Sequence, residues 1–290
     1  MKTALIITTY NNPEVLALSL TTVLQQTVLP FEIIVADDGS FADTADLVRR
    51  VAEESSIPIY HCWQENKGFR AARCRNMAIA RSCADYCILI DGDIMLDSHF
   101  IEDHIHYATR GYFVQGSRVI LSEDATKQIL QSKNTDVGIF DHSVGNRKNC
   151  IRSVFLSKIF SVKNCKLGGI KTCNFAFWKS DAMMVNGFNE DFVGWGQEDT
   201  EFASRLLHSG ICRQNVRFSA LAFHLYHPIA ARDSLPKNDA LLMDTQKNQK
   251  SWHTLSREKI KKRKQPKTMS QKNKSLPYLS FILNFSRTLE

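Results

Sequence analysis

Several short polar clusters in this chain carry the residue types that chemistry needs. Asp91-Gly92-Asp93 puts two carboxylates beside a glycine that lets backbone and ligand approach closely. A hard divalent cation prefers such oxygen ligands and can bridge them to the phosphates of a nucleotide; taken alone, the triplet also reads as an ordinary polar turn. Asp37-Asp38-Gly39-Ser40 offers a carboxylate able to accept from the ring NH of a uracil, or a strand-ending turn closed by a side-chain hydrogen bond. Thr9-Tyr10-Asn11 can add contacts. Asn66-Lys67-Gly68-Phe69, followed by Arg70, Arg73 and Arg75, sets cations in the first turns of a helix, where the dipole disfavours them. An anionic ligand explains that placement; simple solvation explains at least one of the three.

Gly194-Trp195-Gly196-Gln197-Glu198-Asp199 is the most informative segment. The glycines leave the indole free to stack on a sugar, and the acids open a helix whose dipole favours their ionised form. One of them can act as general base. The plainer alternative is an apolar anchor followed by dipole-complementing acids. His224 and His227, three apart at the end of an apolar segment, join the upstream acid pair as metal-ligand candidates. Which of the two binds is open at this level.

The elements that must position these groups alternate. Residues 3–8, 31–36, 57–63 and 86–90 read as strands, and helices are expected from Pro13, over 43–54 and over 69–84. Such alternation specifies an α/β fold, a mostly parallel sheet with helices on both faces. Ligands of such sheets sit at the carboxyl ends of the strands, where the polar clusters fall. Residues 122–166 read as a long polar, irregular segment with Asp136, Gly138, Asp141, Gly145 and Asn146 as turn residues. An apolar run over 175–178 and a helix from Gln197 to a stop at Gly210 follow.

The 290 residues are 43% hydrophobic and 23% charged, enough for one large core or two modest ones. The net charge of +7 resides at one end: residues 257–290 hold ten Lys/Arg against Glu258 and Glu290, so residues 1–256 sum to −1. A balanced body argues against nucleic-acid binding, which needs clustered cations on a folded face. The basic run, next to apolar residues from Leu276 to Phe285, suits an anionic membrane surface, or else a solvated tail. Eight cysteines without a CxxC pair, and no signal-like leader, lead us to expect free thiols and a cytoplasmic protein, with peripheral contact at the inner membrane.

Taken in order, "IITTYNN", "IIVADDGS", "NKGFRAARCRN" and "ILIDGD" resemble the family 2 glycosyltransferases of GT-A fold. The stretch "GGIKTCNFAFWKSDAMMVNGFNEDFVGWGQEDTEFASRLLHSG" with "AFHLYHP" is similar to the galactosyltransferase-type module of bacterial chondroitin-type polymerases and animal β-1,4-galactosyltransferases. The likeness spans about residues 3–230. It implies Asp38, with Asp37 as an alternative, at the nucleobase, and Thr9, Tyr10, Asn11, Gly68, Arg75 and Asp91 around the nucleotide sugar. Asp93 is implied as direct metal ligand, with Asp91 toward ribose or metal, His224 or His227 completing the site, and Mn²⁺ or Mg²⁺ as the ion. Asp199 is implied as catalytic base, with Glu198, Trp195 and Asn174 holding the acceptor. Gln197 stands where animal enzymes often have glycine, so their sugar preferences do not transfer.

The reaction so implied is inverting transfer of a hexose or N-acetylhexosamine from a UDP-sugar to a hydroxyl of a saccharide or lipid-linked acceptor, in envelope polysaccharide synthesis. UDP-galactose, UDP-N-acetylgalactosamine and UDP-glucose or its N-acetyl form all fit. Two other classes compete: a non-catalytic nucleotide-sugar-binding protein, and a nucleotidyl or phosphoryl transferase on the same metal site. The expected organisation is a nucleotide-sugar half over 1–120 and an acceptor and catalytic half over 121–235 of the same domain, then a basic, partly helical or disordered tail over 236–290 that contacts a membrane surface.

Overall fold

Strand β1 (Thr3–Thr9) is buried almost throughout and leads to α1 (Pro13–Leu24), where Asn12 Oδ1 accepts from Val15 N at 3.4 Å and Pro13 occupies the first turn. There follow β2 (Glu32–Asp37), α2 (Ala42–Glu54), β3 (Ile59–Trp63), α3 (Ala71–Arg81) and β4 (Tyr86–Asp91). The chain continues through β5 (Ile94–Leu96), α4 (Phe100–Tyr107), β6 (Tyr112–Gln115), β7 (Val119–Leu121), α5 (Glu123–Ser132) and β8 (Val144–Gly145). Next come α6 (Val154–Phe160), β9 (Val162–Asn164), β10 (Phe175–Trp178), α7 (Lys179–Met184), α8 (Glu198–His208), β11 (Cys212–Asn215), β12 (Ala222–His224) and α9 (Leu235–Lys247). This computed structural model describes residues 1–135, 137, 144–228 and 231–252.

The main sheet has eight strands in the order β3-β2-β1-β4-β10-β6-β11-β9, with β3, β2, β1 and β4 parallel and β10 antiparallel to both its neighbours. Alternate residues of the parallel strands enter two cores. Leu5, Ile7, Ile33, Val35, Ile88 and Ile90 meet α1 and α2, while Ile6, Ile34, Cys87 and Leu89 meet α3, α7 and α8. Burial of both faces is why these strands read as unbroken apolar runs. The expected strands and helices of the first 90 residues are present within a few residues, and the α/β class stands. A second sheet, β5-β12-β7-β8, gathers the residues after β4 with those near 224.

Three expectations change. Within 122–166, α5 and α6 are capped helices, with Ser122 Oγ accepting from Ala125 N and Ser153 Oγ from Leu156 N; Asp136, Gly138 and Asp141 lie outside the described residues. Cys165 and Cys212 form a disulfide, not two free thiols, because antiparallel pairing of β9 with β11 (Asn164 opposite Arg213) brings them to a Cα separation of 4.8 Å. The residues assigned to a tail from 236 begin with α9, which packs on α8: Thr245 donates to Glu201 Oε1 at 3.0 Å and Asn238 is fully buried. One compact unit runs from Met1 to His253. The basic run from 257 onward lies outside the described residues. Among the described residues, no helix is long and apolar enough to cross a membrane.

Candidate active site

Pairing in the parallel sheet brings the polar clusters together. Thr9 stands opposite Asp37 on one side of β1, and Thr8 opposite Asp91 on the other. Asp37 is fully buried: Oδ1 accepts from the Gly39 and Ser40 amides and Oδ2 meets His61 Nε2 at 2.8 Å. Burial alone raises a carboxyl pKa, yet the hydrogen bonds from His61 and Ser40 prevail and hold this one below the usual range. Both oxygens of Asp37 are thus engaged in shaping the turn. Asp38 accepts from Gln64 Nε2 and, at 2.6 Å, from the Arg70 amide, and burial raises its pKa. Tyr10 is exposed, its hydroxyl accepting from Asn66 Nδ2 at 2.9 Å. Asn11 Oδ1 accepts from Phe41 N, and the Gly68 amide donates to Asn66 Oδ1 at 3.1 Å. Thr9 and these three residues rim one edge of the strand ends.

Asp93 meets both histidines. Its Oδ2 lies 3.2 Å from His227 Nε2 and 3.6 Å from His224 Nε2, and one ligand atom from each of the three residues falls within 4.8 Å of the others. Antiparallel pairing of β12 with β5 sets His224 opposite Ile94, and Leu225 N donates to Asp93 O at 2.9 Å. Burial and then the charge of Asp91 push the Asp93 carboxyl up to about 7, while burial and then the charge of Arg118 push His224 down to about 4. His224 is therefore the neutral imidazole that ligation requires. Asp93 Oδ1 is buried with no hydrogen-bond partner. A carboxylate with one oxygen orphaned and the other beside two imidazoles fits a divalent cation, and the mixed N/O donor set is of a kind that transition metals accept. Asp91 stands apart from this trio, since its Oδ1 accepts from Arg75 Nη2 at 3.2 Å.

Arg75 is the link between the two ends of the chain. Only 4% exposed, it donates from Nη1 to Glu198 Oε1 at 2.9 Å, from Nη2 to Asp91, and from Nε to Thr8 Oγ1 at 3.2 Å. Burial disfavours its charge, but Glu198 and then Asp91 outweigh that and raise its pKa. A guanidinium so occupied is not a free nucleotide-sugar contact; it ties β4 to α8. Glu198 gives Oε1 to this link. Asp199, beside it, is crowded by packing and by the Glu198 charge, and its carboxyl is pushed up to about 7 against the pull of Arg75 and of Thr200, whose amide donates to Oδ1 at 2.6 Å. A carboxylate poised there can exchange a proton near neutrality.

The turn before α8 owes its shape to α9. Gly194 and Gly196 have φ of +82° and +106°, and a Cβ on Gly194 would lie 2.1 Å from Ser234 Oγ. The glycines therefore serve the turn and its packing against the start of α9, not the freedom of the indole. Asn238 Nδ2 donates to Trp195 O at 3.3 Å and Gly196 O at 3.0 Å, and Gln197 Nε2 to Asp239 Oδ1 at 2.8 Å. Trp195 is 38% exposed, with the Arg232 guanidinium 5.0 Å from its ring centroid. Asn174 does not belong with it. Buried to 1%, it accepts from His104 Nε2 and donates to Ser117 O and Ala220 O, so its amide joins loops and no polar atom is left for an acceptor. His61, Gln64 and Asn238 escaped the sequence reading; none sits in a motif, and alternation along β3 was the only hint that His61 turns inward.

A parallel sheet that ends in a carboxylate–imidazole trio and a neighbouring acid pair, completed by an antiparallel half, is the GT-A type of α/β fold. The chain belongs to glycosyl transferase family 2, whose family model matches residues 4–178; a second, described as the N-terminal domain of galactosyltransferase, matches residues 156–228. It is 25% identical over 245 residues to a chondroitin synthase of Escherichia coli, covering 78% of this chain and 35% of that protein. It is 25% identical to the hyaluronan synthase of Pasteurella multocida (71% and 23% covered) and 26% identical to the validoxylamine A glucosyltransferase of Streptomyces hygroscopicus subsp. limoneus (72% and 48%). This chain thus spans 23–48% of the length of those relatives. The crystal structure of S. aureus TarS 1-349 superposes with a TM-score of 0.60 at 14% identity, covering 100% of this chain and 74% of that one.

Proposed function

We propose that this chain is an inverting, metal-dependent glycosyltransferase that moves a hexose or N-acetylhexosamine from a UDP-sugar to a hydroxyl of a saccharide or lipid-linked acceptor, in polysaccharide synthesis. The observation that carries the reading is the Asp93–His224–His227 trio at the end of the strand whose Asp91 is tied through Arg75 to Glu198, the neighbour of Asp199. TarS has been crystallised with UDP and with UDP-GlcNAc, which supports a uridine nucleotide as donor. In this reading residues 1–120 take the nucleotide, 121–235 the acceptor, and α9 braces the second half.

Asp93, His224 and His227 would hold Mn²⁺ or Mg²⁺, which when bound neutralises charge on a diphosphate leaving group. Asp38 and the Thr9–Asn11 edge orient the nucleoside. Asp199 Oδ accepts the proton of the acceptor hydroxyl as that oxygen attacks the anomeric carbon from the face opposite the diphosphate, inverting the centre in one displacement. Trp195 stacks on the acceptor ring. Arg75 holds Glu198 and Asp91 in place through its hydrogen bonds to both. A phosphoryl or nucleotidyl transferase has no use for the exposed indole and the acid beside it.

Thermal stability with UDP tests the donor site. UDP with Mn²⁺ should raise the Tm of the wild type, UDP alone should do so less, and Asp93→Ala should abolish the metal-dependent part; a ligand at 100 times its Kd adds about 2.7 kcal/mol. An unchanged Tm in folded protein would remove the donor assignment. The basic segment from Arg257 supports peripheral attachment to an anionic membrane surface at the cytoplasmic face. Deleting residues 257–290 should release the protein from vesicles containing anionic lipid in a sedimentation assay, and undiminished sedimentation would refute that attachment.

A further inference from the structure

A cavity of about 350 Å³ opens between the ends of β6 and β11 and is lined by Arg118, Lys148, Lys171, Arg213 and Arg217, with no Asp or Glu among its lining residues. Its floor follows from pairing: Gln115 and Asn215 face each other where β6 and β11 end. It adjoins the metal-ligand trio, because Arg118 directly precedes β7, whose Val119 and Ile120 pair with Phe223 and His224 of β12. Its wall residue Cys173 receives a hydrogen bond from Arg118 Nη1 at 3.6 Å. None of the five cations forms an ion pair with a carboxylate among the described residues.

Arg213 shows most directly that the cavity lacks a counter-charge. Its guanidinium donates to Gly168 O at 2.6 Å and Asn215 Oδ1 at 2.8 Å, yet Nε is buried with no partner, and burial lowers its pKa. Desolvating a guanidinium without an anion is unfavourable, and four further cations around one cavity add repulsion, although Arg118 also feels the nearby Asp93 carboxylate. An anion relieves both costs, and the planar fork of an arginine suits the two oxygens of a carboxylate or phosphate. The volume is within the range of small-ligand sites.

We infer that this cavity receives an anionic group, carboxylate or phosphate, carried by the acceptor glycan. The inference rests on the glycosyl-transfer reading and deepens it by naming the acceptor as acidic. The lining comes wholly from residues 115–217, within the half that takes the acceptor in this reading, and includes none of the ends of β1, β2 or β4 where the nucleoside is placed.

The test is ligand-observed NMR titration of the full chain with methyl glucuronide, glucose 6-phosphate and neutral methyl glucoside, alongside calorimetric titration with UDP and Mn²⁺. One of the two anionic sugars should bind at least about tenfold more tightly than the neutral one, near 1.4 kcal/mol, and more weakly at higher salt; whichever it is separates carboxylate from phosphate. The double variant Lys171→Gln/Arg217→Gln changes two exposed side chains, and should lose that tenfold preference while its UDP affinity stays unchanged. Equal binding of neutral and anionic sugars, or an anion preference that survives the double variant, overturns the inference. A parallel fall in UDP affinity assigns the cavity to the donor and overturns it also. UDP that fails to bind the wild type while an anionic sugar still does removes the donor-site reading, and with it the acceptor assignment, but leaves the anion site standing.

Discussion

Asp199→Asn should retain UDP-sugar binding and lose transfer, with kcat falling by roughly 10²–10⁴-fold, the usual contribution of a positioned acid–base group. The asparagine keeps the shape and the hydrogen bond from Thr200 but cannot take a proton. The pH dependence carries the same signature. Because the carboxyl is pushed up to about 7 by packing and by the neighbouring Glu198 charge, the competent ionised form is lost as pH falls through that value, and kcat should rise with pH across it. The residual rate of Asp199→Asn should not show that rise. Initial rates with a fixed UDP-sugar between pH 5.5 and 8.5, together with calorimetric donor titration of both proteins, measure all of this; an asparagine variant with wild-type kcat would remove Asp199 from the role.

Arg75→Ala should be the most destabilising single change near the site. It deletes the guanidinium that neutralises Asp91 and Glu198 and strands the buried Glu198 beside a half-buried Asp91 and the space that the arginine filled. Breaking a buried pair by removing one partner costs about 3–5 kcal/mol, since the remaining charge is left uncompensated. Arg75→Lys should recover only part of this, because an ammonium cannot reach Thr8, Asp91 and Glu198 at once as the fork does. Urea unfolding at pH 7 is the measurement: a fall in midpoint at constant m-value is expected, and a loss below about 1 kcal/mol, the level of an exposed pair, would show that the link is not buried in solution. With β4 and α8 uncoupled, donor and acceptor halves should also lose their alignment, so kcat should fall in whatever Arg75→Ala protein remains folded.

Both predictions concern groups whose types were legible in the linear chain but whose partners were not. Asp91, Asp93, Glu198 and Asp199 stand out because apolar runs of strand length end abruptly in acids and glycines, and because a helix-opening acid pair follows a tryptophan. Those are local signals. Asp37 and Asp38 are adjacent and chemically identical, yet the side chain of one turns to His61 and the other to Gln64 and Arg70. Asn174 is implied as an acceptor residue by the family resemblance alone, and its side chain is hydrogen-bonded to His104, Ser117 and Ala220. The glycines of the GWGQ segment answer to Ser234 and Leu235 at the start of a helix that the sequence reading placed in a tail.

By itself the sequence determined the alternation of strands and helices, the two-faced burial of the parallel strands and the placement of polar clusters at their carboxyl ends. All of these follow from periodicities of two and of 3.6 residues and from turn chemistry within a few positions along the chain. The tertiary structure alone decided that Arg75 joins Asp91 to Glu198 across 123 residues, that both histidines face Asp93, that Cys165 meets Cys212, and that α9 braces the turn before Asp199. Each of those is a choice of partner between distant segments. It is made by burial, because a charge or polar atom removed from water must be satisfied by whatever the packed fold brings beside it, and no local propensity records which residue that will be.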